Sequence, residues 1–84
     1  MLAYIIYRGD FIYMLYTRRI RDLREDHDMT QQQVAGYLGT SQTMYARYER
    51  GANELPIRHL IALCELYKVS ADYILGLSDK KIII

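Results

Sequence analysis

Tryptophan is absent from this chain of 84 residues, and cysteine, proline and phenylalanine occur once each. The lone Cys64 excludes an internal disulfide and any zinc site built on a cysteine pair, fits a reducing compartment, and reads as a core residue. His27 and His59 stand far apart without ligand spacing, so a surface or capping role is expected of both and no metal is assigned. Charge of one sign is lacking too. With 11 basic and 10 acidic residues the net charge is only +1, so any electrostatic case must rest on where the charges sit. No Ser/His/Asp, Cys/His or paired-carboxylate arrangement appears on a recognisable pocket scaffold, which argues against an enzyme and calls for no cofactor. The first sixteen residues are apolar, but Arg8, Gly9 and Asp10 interrupt them, and a membrane span needs about 20 continuous apolar residues. No basic start precedes that stretch and no small-residue cleavage site follows it, so a signal peptide is not indicated and a cytoplasmic protein is expected.

What is present is an ordinary globular composition, half apolar and a quarter charged, in a length that fits one domain. Residues 2 to 7 and 11 to 16, rich in Tyr, Ile and Phe around Arg8-Gly9-Asp10, read as two short strands joined by a turn, with a helix as the alternative. The Arg-Gly-Asp triplet is better explained by that turn than by adhesion. From residue 17 the period changes. Tyr16, Ile20, Leu23 and His27 recur at four, three and four residues, the spacing of one helical face ending near Asp28.

Thr30 and Gln33 make a Thr-x-x-Gln capping box that opens a second helix running to Leu38, with Val34, Ala35 and Leu38 as its buried stripe. Gly39 ends it. Only Thr40 then precedes Ser41, an N-cap for a third helix that closes at Gly51 and turns Tyr45 and Tyr48 inward. Pro56 suits the start of a fourth helix carrying Leu60, Leu63, Cys64 and Tyr67, and Ser70 caps a short fifth containing Ile74 and Leu75 before Gly76. The division expected is an N-terminal extension over 1–16, a domain over 17–78 and a tail over 79–84. Small Ala35, the turn at Gly39 and inward Tyr45 and Tyr48 would lock helices two and three near a right angle. The outer face of the third, with Gln42, Thr43, Met44, Ala46, Arg47 and Arg50, is then free to enter a DNA major groove.

At these residues the chain resembles the phage repressor and Cro-like helix-turn-helix proteins, the XRE family. The run Met29-Thr30-Gln31-Gln32-Gln33-Val34-Ala35-Gly36-Tyr37-Leu38-Gly39-Thr40-Ser41, followed by Tyr45-Ala46-Arg47-Tyr48-Glu49-Arg50-Gly51, matches the family pattern. The match continues through Pro56 and Val69-Ser70-Ala71-Asp72-Tyr73-Ile74-Leu75-Gly76, and covers about residues 17 to 78. The resemblance implies an all-α, compact five-helix lambda-repressor-like DNA-binding domain, to which the strand reading of the first residues would add a short β extension. Residues 1 to 13 fall outside the resemblance, and Met14 stands where members often begin, so they are either an upstream extension or a misassigned start.

The roles implied are also chemically permitted. Gln42 can donate and accept together, as an adenine edge requires, and Arg47 can fork onto the two acceptors of guanine. Thr43 and Met44 occupy neighbouring groove-facing positions and could meet a thymine methyl, although Met44 lacks directional bonding and could merely fill space. Gln31, at the first turn of the second helix, can contact phosphate, and the resemblance implies that it braces Gln42. Arg50, Asn53 and Arg58 are implied to contact the DNA backbone, with a solvated surface as the alternative. Arg24 and Glu49 match a family ion pair of structural role. Two departures stand out: Tyr45 replaces a usual aliphatic residue and Thr40 a common valine, which would alter the packing of helices two and three. The function expected is a transcriptional regulator of the repressor type that binds a palindromic double-stranded operator as a homodimer in a bacterial or phage-type cytoplasm. The alternative is an antitoxin or protein-binding adaptor of the same fold, with a toxin or another protein as partner, for which nine tyrosines offer a surface. Leu2 to Tyr7 and Ile82-Ile83-Ile84 are apolar edges that could pair between subunits, the first as a dimerisation arm.

Overall fold

The computed structural model describes the backbone of residues 2–82 and the side chains of residues 14–82. Five helices follow one another, α1 (Leu2–Asp26), α2 (Gln31–Leu38), α3 (Gln42–Arg50), α4 (Ile57–Tyr67) and α5 (Ala71–Leu75), and no strand occurs among the described residues. The strand-turn-strand expectation for residues 2 to 16 is therefore corrected: this stretch continues into α1. A two-stranded ribbon has little stability without a further sheet or helix to cover it, whereas extending a helix already nucleated by the docked segment adds one hydrogen bond per residue. Gly9 then costs only about 1 kcal/mol inside the helix. Leu2 to Tyr7 consequently offers no strand edge to a second subunit, and Ile83 and Ile84 of the apolar tail lie outside the described residues.

Local chemistry sets the other boundaries. Thr30 and Gln33 form the reciprocal capping box, Thr30 Oγ1 accepting from the Gln33 N–H at 3.1 Å and Gln33 Oε1 accepting from the Thr30 N–H at 2.9 Å. Ser41 caps α3 by accepting from the Met44 N–H at 3.1 Å, and Ser70 caps α5 by accepting from the Tyr73 N–H at 3.0 Å. Gly39, at φ 74°, ends α2 with its N–H turned back to the carbonyls of Ala35 and Gly36. Pro56 occupies the N-cap of α4.

The core is one cluster: Tyr16, Ile20 and Leu23 of α1 meet Val34, Ala35, Leu38, Tyr45, Tyr48, Leu55, Leu63, Tyr67 and Ile74. Tyr45 is wholly buried, edge-on to Tyr48 with ring centroids 6.2 Å apart. A bulky aromatic thus fills the space between helices where the family usually has an aliphatic residue, and the helix-turn-helix closes around it. Cys64 is half-buried against this cluster, and burial pushes its thiol pKa up. His59 departs from expectation. It is 4% exposed, packed against the Tyr48 ring, because Pro56 sets the phase of α4 so that His59, Leu63 and Tyr67 share its inner face. His27 stays on the surface at the end of α1, its Nδ1 2.8 Å from the Leu23 carbonyl.

The C-terminal segment is fastened back onto the domain. Arg19 lies over the Tyr73 ring at 4.2 Å, donates to the Tyr73 carbonyl and to the Ser78 carbonyl at 2.7 Å, and pairs with Asp79 at 2.8 Å. Ser70 donates its N–H to the Lys81 carbonyl at 2.6 Å and its hydroxyl to the Lys80 carbonyl at 3.2 Å. Gly39 and Gly76 differ in what surrounds them. Both have positive φ, but a Cβ at Gly39 would meet nothing within 4 Å, whereas one at Gly76 would sit 3.0 Å from Leu15 Cδ2. Gly39→Ala should cost about 1 kcal/mol of backbone strain. Gly76→Ala should cost about 1–3 kcal/mol more through crowding. Urea unfolding of the two variants checks this, and equal losses would contradict the α1–α5 packing.

Candidate nucleic-acid interface

The edge of the helix-turn-helix begins in the core. Arg24, near the end of α1, forks onto Glu49 of α3 through Nε at 2.7 Å and Nη2 at 3.1 Å, and its Nη1 donates to the Met29 carbonyl at 3.0 Å. The Glu49 side chain is only 4% exposed and that of Arg24 14%. The pair the family resemblance implied is therefore present in bidentate form, tying α1 and the approach to α2 to the last turn of α3.

From Glu49 the bonding continues outward. Gln31 donates Nε2 to Glu49 Oε1 at 3.1 Å, and Gln42 donates Nε2 to Gln31 Oε1 at 2.7 Å. An unbroken chain of hydrogen bonds thus runs from Arg24 to the exposed first residue of α3. Burial by itself would raise the Glu49 pKa, but the hydrogen bonds from Arg24 and Gln31 and the Arg24 charge outweigh it and hold the carboxyl below its ordinary range. The Tyr45 phenol is pushed far up by burial and by the Glu49 carboxylate beside it, and burial takes Tyr67 up to about 12. The floor of the site therefore holds one charged pair among neutral phenols.

The other site residues distribute along the same face. Thr43 is exposed, Met44 is half-buried against the core, and Ala46 is partly covered. Arg47 is exposed and donates Nε to Asn53 Oδ1 at 2.6 Å, leaving both Nη groups free of that bond. Asn53, expected only as a backbone contact, stands here as the group that steadies Arg47. Arg50 and Arg58 are exposed. The Arg47–Asn53 pair and the Gln31–Glu49 bond had no local signal in the sequence, since each depends on the angle between elements, yet both join residues already singled out. Among the described residues no cluster of three His, Cys, Asp or Glu side chains is placed to hold a metal ion, and no helix is long and apolar enough to cross a membrane.

Five helices, a capped turn between the second and third, and a polar outer face on the third define the class of the molecule as a helix-turn-helix domain. The chain belongs to the helix-turn-helix family, whose model matches residues 20–74. It is 42% identical over 65 residues to the uncharacterized HTH-type transcriptional regulator YobD of Bacillus subtilis, a match covering 77% of this chain and 58% of that protein. It is also similar to the antitoxin PezA of Streptococcus pneumoniae, at 32% identity over 70% of this chain and 37% of that protein. The transcriptional repressor RstR of a cryptic CTXphi phage in Vibrio cholerae is 31% identical over 66% of this chain and 50% of that protein. Among solved structures it resembles the P22 c2 repressor, determined in complex with a synthetic operator, with a TM-score of 0.69 and 28% identity over 76% of this chain and 97% of that one. The chain spans about 58% of the length of YobD and 60% of the length of another HTH-type regulator of Bacillus subtilis, YqaE.

Acid should weaken this assembly in two steps. Burial, with a smaller contribution from the Arg58 charge, lowers the His59 pKa below 6.5, and the Glu49 pKa lies below 4.5. Both folded values are depressed, so the stability each group contributes is present above its unfolded pKa and is lost as pH falls through the folded one. Urea midpoints should hold steady above pH 6.5, then fall below it and fall again below 4.5. A midpoint that rises on acidification would contradict this. Arg24→Ala, which strands the buried Glu49 carboxylate, should cost about 3 kcal/mol in the same assay.

Proposed function

We propose that this chain is a sequence-specific DNA-binding transcriptional regulator, of the repressor type, which places α3 in the major groove of double-stranded DNA. The observation that carries the reading is the hydrogen-bonded chain from the buried Arg24–Glu49 pair to Gln42, which presents a preorganised polar edge at the start of α3. Membership of the helix-turn-helix family and the likeness to an operator-bound repressor support it. Gln42 reads an adenine edge and Arg47 a guanine through its free Nη groups, while Thr43 and the exposed part of Met44 line the groove between them. Gln31, Arg50, Asn53 and Arg58 hold the helix on the sugar–phosphate backbone. One recognition helix covers only a few base pairs, so two copies on a palindromic site supply the contact area a specific complex needs, and action in the cytoplasm follows from the role.

The likeness to PezA favours a second reading in which a toxin-like protein is the chief partner. Selection of bound sequences from a random duplex pool separates the two. The proposed role predicts a palindromic consensus and an affinity that falls steeply with salt; equal binding to every duplex would overturn it. On the selected site, Arg47→Ala should cost about 1–3 kcal/mol at one guanine and relax preference there. Arg50→Ala should weaken all duplexes alike and lower the salt slope by about one.

A further inference from the structure

One side of α1 opens toward the last turn of α3. A hollow of about 230 Å³ lies there, lined by Arg21, Arg24, Glu25, Gln31, Glu49 and Arg50. A second, of about 440 Å³, adjoins it through Arg21, Glu25 and Glu49 and carries the groove along α1 past Arg18 to Met14. The charges in this groove are not equally committed. Arg24 holds both oxygens of Glu49 and the Met29 carbonyl, so these two charges answer each other. Arg21 meets Glu25 through Nε at 3.5 Å, with the two side chains 61% and 51% exposed, and both of its Nη groups lie outside that bond. Arg50 is exposed on the opposite wall.

The helix gains little from the pair of Arg21 and Glu25. Charges this exposed attract each other weakly in water, and the order of base before acid is the less favourable one for an i, i+4 pair. Glu25 also stands one residue before the end of α1, where the negative end of the helix dipole disfavours a carboxylate. We propose that Glu25 occupies Arg21 in the free chain and yields it to a phosphate of the DNA backbone in the complex, so that the groove is a backbone track continuing from Gln31 and Arg50 along α1. A phosphate takes the fork of a guanidinium as a carboxylate does. Arg50 and the second N–H of Gln31 open on the same hollow, so a phosphate there gathers donors from three helices, whereas Glu25 receives a single bond from Arg21. Such a contact carries no base information. Glu25 therefore sets affinity for every duplex without altering which sequence is preferred.

A phosphate contact for Arg21 rests on the DNA reading proposed above, and the experiment separates the two. Affinity for a selected and an unrelated duplex is measured against salt with the unaltered chain, Arg21→Gln, Glu25→Gln and the double variant, each first shown to be folded by its thermal melt. Arg21→Gln should weaken binding to both duplexes about fivefold near 0.1 M salt and lower the salt slope by about one. Glu25→Gln should strengthen binding about two- to fivefold, and in the double variant that gain should disappear. Single neutral methylphosphonate linkages placed in turn along the selected duplex then locate the contact: one position should weaken the unaltered chain and leave Arg21→Gln unaffected. A merely structural role for Arg21 would single out no linkage. Unchanged affinity and slope in Arg21→Gln overturns the track, and so does an equal gain from Glu25→Gln with and without Arg21. Failure of the unaltered chain to bind any duplex overturns the DNA reading itself, and the track with it.

Discussion

The ion pair between Arg24 and Glu49 is the contact on which the outer face of α3 depends. Removing two charges from water is expensive, and an apolar pair of similar volume would often hold two helices as well. What the charged pair adds is direction. A guanidinium that meets a carboxylate with two parallel bonds sets distance and angle together, and the third bond from Arg24 to the Met29 carbonyl extends that constraint to the segment entering α2. Gln31, two residues further on, inherits its place from this arrangement, and Gln42 inherits its own from Gln31. The exposed edge of α3 is thus determined by groups that solvent scarcely reaches.

Around this pair the packing is aromatic to an unusual degree. Tyr16, Tyr45, Tyr48 and Tyr67 all lie in the core cluster, and the Tyr16 hydroxyl accepts the Leu55 N–H at 2.7 Å, anchoring the segment between α3 and α4 to α1. Tyrosine here supplies bulk for the interhelical space and a polar tip for a buried backbone group. The far side of α1 is held differently, by Arg19 closing over α5 and the residues that follow it. One helix therefore carries two arginines with opposite duties. Arg24 orients α3, and Arg19 secures the C-terminal segment.

Legibility in the sequence followed the range of the interactions. The capping box of Thr30 and Gln33, the caps at Ser41 and Ser70, and the left-handed glycines at 39, 51 and 76 act over three or four residues, so the bounds of α2, α3 and α5 could be read directly, whereas α4 ends at a left-handed Lys68 that carries no such signal. The Arg24–Glu49 pair was available only through the family resemblance, because nothing local joins residues 25 apart. The Arg19 contacts, which reach across 54 to 60 residues, had no signal at all. The first sixteen residues misled because Tyr, Ile and Phe favour strands only when a sheet exists to receive them, and none forms among the described residues. His59 was misplaced for a related reason: the phase of α4 decides burial, and a single histidine does not reveal it.

The central claim is that the face built on this ion pair, with Gln31 and Gln42 at its edge, is the surface that meets DNA. Nuclear magnetic resonance of the chain labelled with nitrogen-15, titrated with a duplex taken from the selected pool, tests it most directly because backbone and glutamine side-chain amides report together. The account predicts the largest shifts at Gln31, through residues 42–50 and at Asn53, with both glutamine side-chain amides moving. Shifts concentrated instead on the exposed side of α4, around Ile57 and Ile61, would contradict it.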